Sequence, residues 1–174
     1  MTDQLKYACC TALLLCALGW AACTQQRQPC LTPRIASLIL QTVHYTTDTA
    51  TTTNDTAIPA AGFTALPPSD TLRGFIYPTQ SQFTLSLSPD TSSCRWTFTT
   101  DSTKYAGIYG TDTLTFFYRR NLQFLSNACG YTYFYTLDSV HTTHTIIDSL
   151  HILNTGVTNN VNTKHIQIYI HPDY

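Results

Sequence analysis

Segments in which every second residue is apolar recur along this 174-residue chain, and that spacing constrains its fold more than any other feature. In "FTLSLS" (83–88), Phe83, Leu85 and Leu87 alternate with Thr and Ser; in "CRWTFT" (94–99), Cys94, Trp96 and Phe98 alternate with Arg95, Thr97 and Thr99. Successive side chains of a strand point to opposite faces, so each such segment has one buried and one wet face. "DTLTFFYRR" (112–120) sets Leu114, Phe116 and Tyr118 on one face, and "YTYFYTL" (131–137) does the same with Tyr131, Tyr133, Tyr135 and Leu137. "KHIQIYIH" (164–171) alternates Ile166, Ile168 and Ile170 against His165, Gln167 and Tyr169. "IIDSLHIL" (146–153) and "RIASLILQTVHY" (34–45) are apolar on both faces, the pattern of central strands, and "TLRGFIY" (71–77) reads as a further strand. The 34–45 segment also fits helical spacing; it reads as strand because the rest of the chain is β.

The turn "PDTSS" between the first two segments predicts that they pair as a hairpin. "TTDTATTTND" (46–55) reads as a polar loop. Composition agrees with sheet rather than helix. All ten acidic residues are Asp, none is Glu, and Thr and Tyr are abundant; Glu favours exposed helix positions, whereas Thr and Tyr favour pleated surfaces. The expectation is an all-β domain over 34–174, an antiparallel β-sandwich, immunoglobulin-like or related, of about eight strands.

The N-terminus has a different grammar. "MTDQLKY" is a short, weakly positive lead, followed by the apolar "ACCTALLLCALG" and then "WAAC". The apolar run is about 15 residues, short of the ~20 needed to span a bilayer, so residues 1–22 read as a secretory signal. Ala21 and Ala22 are the small side chains that a lipoprotein signal peptidase requires ahead of its cysteine, which makes Cys23 the expected lipidated first residue. Cys16 is excluded because Leu15 before it is too large. Trp20 stands where such signals usually carry leucine. Ordinary secretion with cleavage after Gly19, or a retained anchor helix, remain alternatives. Two or three acyl chains hold a protein stably at a membrane, and residues 23–33 would be the lipidated cysteine and its tether.

Of seven cysteines, Cys9, Cys10 and Cys16 leave with the signal and Cys23 takes lipid. An exported compartment permits a disulfide among Cys30, Cys94 and Cys129. Three pairings are possible. Cys30–Cys129 is the expected one, since it pins the start of the domain to a late strand; all three reduced is the alternative. Cys94 shares a face with Trp96 and Phe98 and reads as a buried small side chain.

The order of these features resembles a family of Bacteroidota lipoproteins of unknown function. The likeness is carried by the lipobox cysteine, "CLTPRI", "FTLSL", "DTLTFFY", "SNACGYTYFYTL", "IIDSLHILN" and "KHIQIYI", with "ACGY" and the terminal "HIQIYI" the most specific parts. The resemblance implies an exported, lipid-anchored β-domain with no assigned activity, and it strengthens Cys30 and Cys129 as disulfide partners.

Chemistry-bearing motifs are few. Net charge is −1 with 11% charged residues, so no basic footprint points to nucleic acid. "HTTH" (141–144) is the only close histidine pair, and two histidines three apart in a strand face opposite ways; no metal or cofactor is expected. No nucleophile elbow and no Cys-x-x-C occur. Two Asp at glycosidase spacing would be needed for sugar hydrolysis, and nothing marks such a pair. The stripe Tyr131, Tyr133, Tyr135 is a candidate ligand platform for a glycan, or else core packing.

Seven of the ten Asp begin an Asp-Ser/Thr-small, apolar or Thr tripeptide, where about one is expected by chance. Their hydroxyl residues are Thr49, Thr56, Thr71, Ser102, Thr113, Ser139 and Ser149. The motif resembles the O-glycosylation site of exported Bacteroidota proteins, and turn chemistry explains it equally. The functional expectation is a non-catalytic binding or structural lipoprotein of the outer membrane. It would face the periplasm, be held through its N-terminal lipid, and meet an envelope protein or glycan rather than nucleic acid. Secretion or a cell-surface position is the alternative location. A carbohydrate-binding module and an enzyme with an unrecognised Asp site are the competing functions.

Overall fold

The structure, a computed structural model, describes residues 29–45, 53–67, 74–100 and 110–170. The chain divides into two compact units, Met1–Leu31 and Thr32–Tyr174. In the first, Pro29 and Leu31 are exposed. In the second, the described residues form strands and connections, with no helix among them.

The strands in chain order are β1 (Ser37–Tyr45), β2 (Thr53–Asp55), β3 (Gly62–Leu66), β4 (Phe75–Ile76), β5 (Gln82–Ser86), β6 (Ser93–Thr99), β7 (Thr111–Ser126), β8 (Gly130–His141), β9 (Ile147–Ile152), β10 (Gly156–Val157) and β11 (Ile166–Ile170). One sheet has the order β2-β1-β11-β9, with β5 also on β1. The other runs β10-β8-β7-β6-β3-β4. The alternation does its work here. Leu38 and Leu40, Phe83 and Leu85, Trp96 and Phe98, and Leu114 and Phe116 are all buried in one apolar cluster fed by both sheets. Phe63 on β3 and Phe83 on β5 meet across it with ring centroids 5.2 Å apart. Two sheets sealing one core is the β-sandwich expected from the sequence.

Four expectations need correction. Eleven strands are present among the described residues rather than about eight, the additional ones including the short β2, β4 and β10; β2 occupies the end of the segment read as a polar loop. The sandwich is not wholly antiparallel, because β1 and β11 pair in parallel from Leu40↔Ile166 to Val43↔Tyr169. β9, read as central, is an edge strand. Most instructive, β5 and β6 do not form a hairpin: β5 pairs with β1, and β6 with β3 and β7. Alternation requires only that Phe83 and Trp96 point into the core, and they do so from opposite sheets.

The chain therefore crosses between sheets at the β5–β6 corner, and buried polar groups on β7 hold this crossing and another. The Tyr118 hydroxyl donates to the Ser88 carbonyl and accepts from the Ser88 amide, each at 3.0 Å. At the β8–β9 crossing, the fully buried Asp112 accepts from Thr143 Oγ1 (2.6 Å) and from the amides of Thr145, Ile146 and Ile147 (2.8, 2.7 and 2.8 Å). Burial pushes the Asp112 carboxyl up, but these four donors together outweigh it and leave it below the ordinary aspartate value. A depressed folded value means the stabilisation is present above about pH 3.9 and lost as pH falls through the folded pKa. Asp112→Asn, which turns a donor toward donors, is expected to lower unfolding free energy by about 2–4 kcal/mol at pH 7. Urea denaturation measures it. The gap to wild type should narrow in acid, and a loss under about 0.5 kcal/mol at pH 7, the size of an ordinary surface change, would show that the crossing is held by other contacts.

Candidate functional site

β7 and β8 outrun the sandwich. β6 accompanies β7 only over Thr111–Phe117, and β10 touches β8 only at Tyr135 and Thr136. Beyond these neighbours the two strands continue as a ribbon, Tyr118–Ser126 against Gly130–Leu137. Its tip is a three-residue loop, Asn127–Cys129, closed by Gly130 at φ +73°. A left-handed residue after such a loop is where glycine costs least. The Cys129 amide donates to Ser126 Oγ at 3.1 Å, and Cys129 is disulfide-bonded to Cys30. Closing a loop of about 100 residues in this way is worth up to roughly 4.7 kcal/mol in the chain-entropy model.

Register defines what the ribbon presents. Tyr118↔Leu137, Arg120↔Tyr135, Leu122↔Tyr133 and Phe124↔Tyr131 lie directly opposite and share one face. That face is the inner face of the sheet. At its base Tyr118, Leu137 and Tyr135 are buried, and farther out the same parity surfaces as Leu122 (57% exposed), Phe124 (53%), Tyr133 (38%) and Tyr131 (63%). Phe124 and Tyr131 pack at 5.2 Å between ring centroids. The expected Tyr platform is thus divided: Tyr131 and Tyr133 face solvent, while Tyr135 is core. The Tyr135 ring meets Tyr118 edge to face at 5.3 Å, its hydroxyl donates to the Leu87 carbonyl at 3.4 Å, and burial pushes that hydroxyl up. From Tyr118 to Thr136 the ribbon carries Arg119 and Arg120 and no acidic residue. Arg119 pairs with Asp138 at 3.0 Å, and Arg120 donates to the Pro89 carbonyl.

A groove of about 370 Å³ opens at the base of the ribbon, between Arg34–Ala36, the Leu87–Pro89 corner, and Tyr133 and Tyr135. That volume lies within the range of small-ligand sites. Thr132 Oγ1 donates to the Arg34 carbonyl, so the chain enters the sandwich alongside the ribbon. His165 braces β1 against the Gly156 turn of β10. Alternation predicts a wet face for it, yet it is fully buried. Its Nδ1 accepts from the Ile39 amide at 3.0 Å, its own amide donates to the Ile39 carbonyl at 3.0 Å, and its Nε2 donates to the Gly156 carbonyl at 3.2 Å. Those partners select the neutral Nε2–H tautomer.

The remaining candidate residues do not converge. Thr56 is half-buried, its hydroxyl shared between His44 Nδ1 and the Asn54 carbonyl. Thr113, Ser139 and Ser149 are half-buried within β7, β8 and β9. Cys23, Thr49, Thr71 and Ser102 lie outside the described residues. In "HTTH", His141 ends β8 and meets Phe117 edge to face, while His144 sits at φ 58°. Among the described residues no group of three or more His, Cys or Asp side chains converges as metal ligands. Cys94 is buried and free, with burial pushing its thiol up.

A protein-family model matches residues 64–170, from within β3 to the end of β11. The chain belongs to the family of unknown function DUF6452. No curated protein and no solved structure matches the chain. Within this DUF6452 domain the ribbon, both pinned crossings and His165 fall inside the matched region, whereas Arg34–Ala36 and the "CLTPRI" element precede it.

Sequence reasoning passes over Asp112, His165, Leu122 and Phe124. The last two carry a signal, since Asn121, Leu122, Gln123 and Phe124 continue the alternation of the 112–120 segment within β7. Burial drives the His165 pKa down, the bond to the Gly156 carbonyl offsetting part of it. The folded chain therefore refuses a proton that the unfolded chain accepts near pH 6.5. Stability should be full above that pH and fall below it by up to about 1.4 kcal/mol per pH unit. Denaturant midpoints between about pH 8 and pH 5 measure this. His165→Asn should flatten the profile, and an unchanged slope would assign the effect to other groups.

Proposed function

We propose that the protein is a lipid-anchored, non-catalytic binding or structural protein of the cell envelope, held to the outer membrane through Cys23 and facing the periplasm. The observation that carries this reading is the Cys30–Cys129 disulfide, taken with the leader. Disulfides persist in oxidising, exported compartments, and Ala21-Ala22-Cys23 ends an apolar run too short to cross a bilayer. The engagement of three of the five described aspartates favours a non-catalytic role. Asp112 is consumed by its four donors, Asp138 pairs with Arg119, and Asp55 accepts from Gln41 and lies 3.9 Å from Lys164.

A second reading, a carbohydrate-binding module, draws on the exposure of Tyr131 and Tyr133 beside the groove, since exposed tyrosine rings suit sugar stacking. Intact mass of the native protein tests the anchor. The expected species begins at Cys23 and carries acyl chains, and any further mass on the Asp-Ser/Thr motifs, Thr49 and Thr56 first, reports glycan. Cys23→Ala should block processing at that bond. A variant still cut there and still found in the membrane pellet would overturn the reading.

A further inference from the structure

The exposed end of the β7–β8 ribbon is an apolar face with no partner among the described residues, and its position relative to the chain's entry point identifies an occupant. We infer that Leu122, Phe124, Tyr131 and Tyr133 form a second membrane contact, seated in the interface of the bilayer that holds the N-terminal lipid. The inference rests on the proposed anchor at Cys23.

Three observations converge on a lipid surface. The first is reach. The chain joins the sandwich at Arg34, whose carbonyl is bonded to Thr132 on the ribbon. Eleven residues from Cys23 to Arg34 span at most about 40 Å. The disulfide to Cys129, at the ribbon's tip, shortens the free path to the seven residues from Cys23 to Cys30, at most about 25 Å. Tyr131 and Tyr133 follow Cys129 by two and four residues, about 7 and 14 Å along the strand. An acylated Cys23 therefore holds this face beside the membrane at high effective concentration, where a weak contact is populated.

The second observation is chemistry. Tyrosine rings are suited to the interface, having an apolar body and a polar tip. Leu122 adds exposed aliphatic area, which sugar stacking does not use. The third is charge. Arg120 carries a positive charge without a carboxylate partner at the root of the patch, complementary to anionic headgroups, whereas Arg119 is paired with Asp138.

The test places an indole on the face. The purified native protein carrying Phe124→Trp is reconstituted into phosphatidylethanolamine vesicles with about a quarter phosphatidylglycerol, and the same preparation is weighed by mass spectrometry. Phe117→Trp is the control, an exposed aromatic on the same strand about 24 Å away. Trp96 is fully buried and supplies a constant background. With brominated lipid, the Phe124→Trp chain should lose emission at least about twofold and shift to the blue, as an indole about 5–10 Å into the interface does, while the control is unchanged.

An acylated Phe124→Trp protein whose new indole is quenched no more than the control overturns the inference and leaves the anchor intact. A protein without acyl chains in which Phe124→Trp is quenched beyond the Phe117→Trp control, both carrying any retained Trp20, supports the ribbon contact and removes the anchor. Emission that responds to soluble oligosaccharide but not to vesicles overturns the inference in favour of the glycan reading. Concentration-dependent self-association that shields the indole overturns it in favour of a second copy.

Discussion

The Asp112 carboxylate ties a strand of one sheet to the chain entering the other, and the arrangement of the sandwich depends on that tie. Apolar burial pulls two sheets together without direction, so it leaves open how the chain passes between them. Four donors on one buried carboxylate restrict that choice. The next turns of β7 repeat the device with Tyr118, whose hydroxyl both gives to and takes from Ser88 at the β5–β6 crossing. Between the two pins lie Leu114 and Phe116, at the centre of the core. β7 thus sets both where the sheets face each other and where the chain changes sheet. A buried polar network that is satisfied throughout specifies one packing, and one left half-satisfied would be costly.

What is legible in the sequence divides along the same line. Period-two patterning locates β5, β6, β7, β8 and β11 and the inward residues of most of them, because burial of one face is a local property of a strand, while β1 and β9 read as strands from segments apolar on both faces. Pairing is not local. Phe83 and Trp96 read as neighbours in a hairpin, but the same alternation serves strands facing each other across the core, and the chain takes that arrangement. Asp112 lies in view as the first residue of an Asp-Thr-Leu tripeptide, legible as turn chemistry. Its partners stand more than thirty residues later, and no local pattern announces them. His165 is the converse case: the parity that puts Ile166 inward puts His165 on the other face, yet the second face of this sheet is also buried at Ile39 and Val43. The wet outer face that alternation implies is absent there.

The candidate site is legible in composition more than in extent. Tyr131, Tyr133 and Tyr135 read as one stripe, and they are one stripe by register. The opposite sheet ends beneath it, which makes Tyr135 core and leaves Tyr131 and Tyr133 exposed. No reading of β8 alone finds that edge, because it is set by how far β1 and β5 reach.

This difference in strand length gives the ribbon its meaning. β7 is sixteen residues long and β8 twelve, against nine or fewer in every other strand, so the inner face of one sheet extends past the sheet that should cover it. If the overhang served only the fold, its exposed positions could be polar at no cost to the core. Asn121 and Gln123 on the opposite parity show that polar residues are accommodated on this strand. Leu122 and Phe124 are apolar where the sandwich gains nothing from them, and so is the aromatic pair across from them. Exposed sheet edges invite pairing with other chains, and Arg119 and Arg120 at the ribbon's root oppose that fate, Arg120 from the same face as Leu122 and Phe124. Beyond Arg120 that face is apolar, and it lies beside the incoming chain, whose Arg34 carbonyl is bonded to Thr132, so the packing of the two sheets does not account for its side chains.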